Sequence, residues 1–192
     1  MGEFRVRSEY APTGDQPQAI AALKNGIVDI AVVTTPLDSS EILKTVPVKV
    51  FREAAVCGSS FSHLADREVN FAELAGYPIV CLGAETKTHE FYAKLFAEHG
   101  LTLRTDIEAA TADQILPMVK NDLGIGFVPE EFIRSEKDQQ SFFVLNLAEE
   151  IPPRYICIVK RTDTSLSPAA KELERMLLLS MDVDRNTQEP MH

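Results

Sequence analysis

Three clusters of hydroxyl-bearing residues hold most of the chemical potential of this sequence: Thr34-Thr35, Thr86-Lys87-Thr88 and Thr111. A threonine hydroxyl beside the start of a helix can donate to or accept from a small ligand, and the unpaired N–H groups of the first helical turn favour negative charge. Thr86, Lys87 and Thr88 follow an apolar run at residues 78–82 and precede a helical pattern, which makes them the first candidates for such contacts. Thr111 stands before the next helical pattern, and Thr34 and Thr35 close the apolar run at 28–33. The same positions also suit structural duty: Thr86 or Thr88 as a helix cap, Thr111 with Gln114 as a capping box, Thr34 and Thr35 satisfying nearby backbone groups. Phe127, within Gly124-Ile125-Gly126-Phe127-Val128-Pro129, is a candidate to line a ligand cleft and equally suits a core strand.

Other chemistry finds little support. Cys57, Cys81 and Cys157 are widely spaced inside apolar runs, so they read as buried small hydrophobes rather than a disulfide framework or zinc ligands. His63, His89 and His99 lack metal-ligand spacing, so no metal or other cofactor is expected. There is no G-x-S-x-G elbow, H-E-x-x-H or kinase signature, although catalytic residues scattered along a chain leave no such motif. The net charge of -10 opposes direct nucleic-acid binding, which relies on Lys and Arg against phosphates. No apolar run reaches the ~20 residues of a membrane helix, and the start lacks the apolar core of a secretory signal. A cytoplasmic location is therefore expected.

The elements that must position these residues alternate along the chain as in an α/β protein. Strands are expected near residues 4–8, 28–33, 46–57, 78–82, 101–108, 124–128, 142–147 and 155–160. Asp15, Pro17 and Gln18 open a helix that Gly26 stops, with Ile20 and Leu23 facing the sheet. Asn70 and Glu73 bracket a short turn of helix. Thr88 precedes a helix carrying Phe91, Tyr92, Leu95 and Phe96 inward, ended by Gly100. A third helix follows Thr111 despite Pro117, and a last one begins at Ser167-Pro168, with Leu173, Met176 and Leu177 inward. Residues 181–192 are expected to fray.

Lys24-Asn25-Gly26-Ile27-Val28-Asp29-Ile30-Ala31-Val32-Val33 resembles the G-x-x-D-x-A signature of LysR-type transcriptional regulators. Suitably spaced after it come residues 47–57, Phe71-Ala72-Glu73-Leu74-Ala75-Gly76-Tyr77-Pro78, residues 111–129 and Pro153-Arg154-Tyr155-Ile156-Cys157-Ile158-Val159, so the resemblance spans about residues 24–180. It implies an α/β, type II periplasmic-binding-protein-like fold of two Rossmann-like lobes. A small-molecule effector would lie between them and modulate DNA binding by a winged helix-turn-helix outside this sequence. The implied first lobe comprises residues 1–36 and 130–180 and lacks its opening strand and helix. The second comprises 37–129, with hinges at Thr34-Thr35-Pro36 and Val128-Pro129. A homodimer is also implied. A solute-binding protein of the same fold, or a small-molecule enzyme, is the alternative.

A second resemblance covers about residues 3–22. Glu3-Phe4-Arg5-Val6 and Ser8-Glu9-Tyr10-Ala11-Pro12-Thr13-Gly14-Asp15-Gln16-Pro17 are similar to the beginning of the excision-repair helicase subunit UvrB. The phosphate-binding G-x-x-x-x-G-K-[ST] that ATP hydrolysis requires does not follow. The segment reads as a chance match or as a foreign strand-loop-helix joined to the regulator domain.

Overall fold

The computed structural model describes residues 16–187, with side chains described as far as Leu179. Along the chain lie α1 (Gln16–Lys24), β1 (Ile30–Thr34), β2 (Leu43–Phe51), β3 (Glu53–Cys57), a 3-10 turn (Ser59–Leu64), β4 (Glu68–Val69), α2 (Phe71–Leu74) and β5 (Ile79–Leu82). Then follow α3 (Lys87–Glu98), β6 (Ile107–Ala109), α4 (Ile115–Lys120), β7 (Ile125–Pro129), α5 (Glu130–Ser135), β8 (Phe143–Val144), β9 (Asn146–Leu147), β10 (Arg154–Arg161) and α6 (Pro168–Thr187). The strand expected at 4–8 lies outside the described residues.

A smaller sheet has the order β1-β10-β2, antiparallel throughout. On one face Ala31, Val33, Cys157 and Val159 pack against Leu23 of α1, which is fully buried. Burying each larger side chain there contributes about 1.5–3 kcal/mol. Gly26 ends α1 at φ 70°, a backbone conformation that strains a residue with a Cβ. On the other face α6 packs against β2 and reaches β10 through Lys160–Glu174 at 2.6 Å. It leaves Val32 of β1 48% exposed.

The larger sheet has the order β6-β5-β7-β3-β8, with β5 parallel to both β6 and β7 and β3 antiparallel to β7 and β8. Successive side chains of β7 serve opposite faces, as the strand period of two requires. Phe127 joins Tyr92, Leu95 and Phe96 of α3, whereas Val128 joins Ile115, Leu116 and Val119 of α4. Gly126 lets α4 approach closely, since a Cβ there would stand 2.5 Å from Ile115 Cγ2 and 2.8 Å from Val119 Cγ2.

Several expectations change. The run at 46–57 is two strands in different sheets, divided at Arg52. Pairing places residues 43–51 with the smaller sheet and 143–147 with the larger side. The chain therefore passes between the sheets at Arg52 and between Leu147 and Arg154, not at 36–37 and 129–130. Only Ile107–Ala109 of the run 101–108 pairs as strand. On α6, Ala170, Glu174 and Leu177 are the less exposed residues, while Leu173 and Met176 are 45% and 57% exposed. That helix continues to Thr187 because no Gly or Pro interrupts residues 181–187; residues 188–192 lie outside the described ones.

Candidate functional site

At the first residue of β10, the Arg154 side chain turns back between the two sheets and is 3% exposed. Its Nε donates to the Thr35 carbonyl at 2.7 Å, and Nη1 donates to Glu53 Oε1 at 3.1 Å. Nη2 donates to the hydroxyls of Thr34 at 3.1 Å and Thr88 at 3.0 Å. The guanidinium also lies 5.4 Å from the Phe51 ring centroid and 5.0 Å from that of Phe91. This planar, fork-like donor set explains why Arg suits the position better than Lys. Charges taken out of water cost several kcal/mol each, and here a countercharge and acceptors for four of the five N–H groups offset that cost.

Glu53 begins β3 with its side chain 5% exposed. Its second oxygen accepts the Tyr92 hydroxyl at 2.5 Å. Burial, and then the adjacent Glu53 carboxylate, hold the Tyr92 phenol well above its ordinary range, so it stays a donor. Tyr92 stacks on Phe127 with centroids 4.6 Å apart. One connected group thus links the smaller sheet, the larger sheet and α3.

Beside this group is a cavity of about 390 Å³ between α1, the β1–β2 connection and the start of α3, with Gln16, Ile20, Leu37, Asp38, Lys87 and Glu90 in its wall. Gln16 Nε2 donates to the Thr34 hydroxyl, and Gln16 Oε1 is buried without a hydrogen-bond partner among the described residues. Lys87 Nζ donates to Asp38 at 2.8 Å and Glu90 at 2.7 Å. Those two hydrogen bonds raise the Lys87 pKa and keep the ammonium charged.

The structure brings Thr34, Thr35 and Thr88 together at Arg154 and places Lys87 in the neighbouring cavity wall. Thr86, rather than Thr88, caps α3: its Oγ1 accepts from His89 N at 3.1 Å and donates to the Gly83 carbonyl at 2.8 Å. Thr111 lies two residues beyond Ala109, which pairs with Leu82, so it stands at the same end of the larger sheet as Thr86. Its side chain makes no capping bond. Gln114 Oε1 reaches one residue past the expected partner and accepts from Ala110 N at 3.1 Å, so the Thr111–Gln114 capping box does not form. Phe127 is 3% exposed and belongs to the core beneath the group.

Arg154, Glu53, Tyr92 and Gln16 were not singled out from sequence. The available signal was a charged residue at the edge of each of two apolar runs, which needs a partner once buried. No His/Cys/Asp/Glu group among the described residues is arranged to hold a metal ion, and no described helix is long and apolar enough to cross a membrane. Burial pushes the Cys57 thiol up to about 11, with Asp122 adding to the effect, and raises Cys81 to about 11. Neither is poised as a nucleophile.

The family profile of the LysR substrate binding domain matches residues 12–181. Among solved structures, the regulatory domain of Synechocystis PCC6803 CcmR in complex with 2-PG superposes with a TM-score of 0.75 at 16% identity, covering 87% of this chain and 80% of that one. The effector binding domain of QuiR in complex with shikimate gives 0.74 at 19% identity, covering 88% and 79%. The C-terminal domain of a probable LysR family regulator from Rhodococcus sp. RHA1 gives 0.69 at 22% identity, covering 85% and 80%. The fold is thus the two-lobed, type II periplasmic-binding-protein-like one. A 27-residue stretch is also 63% identical to UvrABC system protein B of Clostridium acetobutylicum, spanning 14% of this chain and 4% of that protein.

Proposed function

The chain belongs to the LysR substrate-binding domain family, a family of regulatory effector-binding domains, and on that premise we propose that a small polar molecule binds between its two lobes and sets their relative angle. The carrying observation is the Arg154 group, where Thr34 at the end of β1 and Thr35 just after it meet Glu53 of β3 and Thr88 of α3 beside an open cavity. The lobes divide as residues 16–51 with 154–179, and 53–147. Thr34, Thr35, Lys87 and Thr88 supply polar contacts, with Thr86 and Thr111 at the rim and Phe127 as support. The charged Lys87 and the first turn of α3 favour an acidic group on the effector. The role is ligand sensing rather than catalysis, exercised in the cytoplasm through a winged helix-turn-helix of the complete regulator, with two copies acting together.

The test is the melting temperature of the chain against small carboxylates, phosphorylated acids, sugars, amino acids and nucleotides. A ligand of the native state stabilises by about 2.7 kcal/mol at a hundredfold excess over its dissociation constant. A shift confined to one class of acid, and lost in Lys87→Met/Thr88→Val with the melt still cooperative, is the expected result. A shift produced by nucleotides alone, or one unchanged in the double variant, would overturn the assignment.

A further inference from the structure

Lys87 draws more negative charge than it can neutralise. Its ammonium donates to Asp38 at 2.8 Å and to Glu90 at 2.7 Å, so two carboxylates share one nitrogen and the trio is negative overall. The two acids stand differently. Glu90 lies one turn along α3 from Lys87 and moves with it, whereas Asp38 belongs to the connection between β1 and β2, on the side of the smaller sheet. Glu90 alone balances the ammonium, which makes Asp38 the surplus partner. Exposure points the same way. The Lys87 side chain is 17% exposed but that of Asp38 is 78% exposed, so Asp38 keeps most of its hydration while bonded and loses little on leaving. All three residues stand in the wall of the cavity beside the Arg154 group.

We propose that Asp38 is a built-in competitor of the effector: its carboxylate holds Lys87 and gives way when the effector's acidic group takes the same ammonium. This rests on the reading that an acid binds in that cavity. Lys87 has a third hydrogen to donate, yet an added anion would set three negative groups around one positive one, and the partner with least to lose in water is the one that leaves. One carboxylate replaces another on one donor, and no proton moves. The exchange selects its ligand, because a neutral molecule offers Lys87 no replacement charge and leaves Asp38 in place. It also has a direction. Asp38–Lys87 joins the β1–β2 connection to α3, so the effector breaks a contact between the lobes as it makes its own, and it frees the connection that follows Thr34 and Thr35.

Inorganic phosphate is the probe, titrated from about 0.1 to 100 mM against the full chain at constant ionic strength, with the melting temperature and the 13C signal of the Asp38 side-chain carboxyl as readouts. Asp38→Asn keeps the shape without the charge. It should reach half-maximal stabilisation at a phosphate concentration about two- to fivefold lower than the unaltered chain, the range that an exposed ion pair supplies. Lys87→Met should abolish the phosphate dependence in both backgrounds. In the unaltered chain phosphate should move the Asp38 carboxyl signal to the position it takes in Lys87→Met without phosphate. Binding that is equal or weaker in Asp38→Asn, no phosphate dependence in that variant, or an Asp38 signal that stays in place while phosphate binds would each overturn the exchange. Failure of the effector reading looks different: nucleotides alone would then shift the melt in the ligand panel. An acid that binds in the cavity but no more tightly to Asp38→Asn sinks the exchange and leaves that reading standing.

Discussion

Arg154 and Glu53 each depend on the other to be tolerable where they are. With side-chain exposures of 3% and 5%, neither can recover its lost hydration from solvent. Arg154→Met should therefore cost about 3–5 kcal/mol, much of it from leaving the Glu53 carboxylate without its countercharge. Urea unfolding checks this, and Arg154→Met/Glu53→Gln should recover part of the loss, because the double variant buries no lone charge. If the double variant is as unstable as the two single losses summed, the pair is not coupled. At this scale the sequence was half legible. Threonines at the end of an apolar run or at the start of a helical pattern stand out in the sequence, and Thr34, Thr35 and Thr88 do meet at Arg154. Arg154 and Glu53 meet across 101 positions, a separation at which no local periodicity says which residues become neighbours.

At the level of elements, α3 shows both what spacing reveals and where it slips. Its inner face of Tyr92, Leu95 and Phe96 follows directly from the 3.6-residue period. Its start was displaced because Thr86 and Thr88 have the same capping chemistry, and only the backbone at Thr86, φ -88° and ψ 148°, selects between them. Thr86→Ala should destabilise by about 1 kcal/mol and speed hydrogen exchange at His89, whose amide it caps. Thr88→Ala should leave that amide unchanged and act on the Arg154 group instead. Equal exchange at His89 in both variants would refute the division of labour. Strand limits were less legible than helices: residues 46–57 read as one apolar run because Arg52 is neither Gly nor Pro, yet the chain changes sheets there.

For the whole molecule, the two-lobed class was legible because alternating patterns and the LysR resemblance agree, whereas the lobe limits depend on strand pairing. Contacts between lobes are of two kinds. The Arg154 group is buried, while Lys87–Asp38 at 2.8 Å is a partly exposed link beside the cavity. Asp38→Asn should weaken that link, raising exchange in the first turn of α3 with little change at Tyr155, whose amide donates to Thr35 Oγ1 at 3.0 Å. Equal acceleration at both places would mean that the substitution loosens the lobe of the smaller sheet itself, since the Tyr155–Thr35 bond lies within that lobe. The two passages between sheets, at Arg52 and at residues 148–153, also touch each other through Arg52–Glu150 at 3.4 Å. A door hung on two pins has a single axis, and Glu53 and Arg154 are each the first strand residue after one of these pins. The buried pair therefore sits near the axle, where a rotation would displace atoms least, and an effector bound beside Lys87, as proposed, would act at the rim.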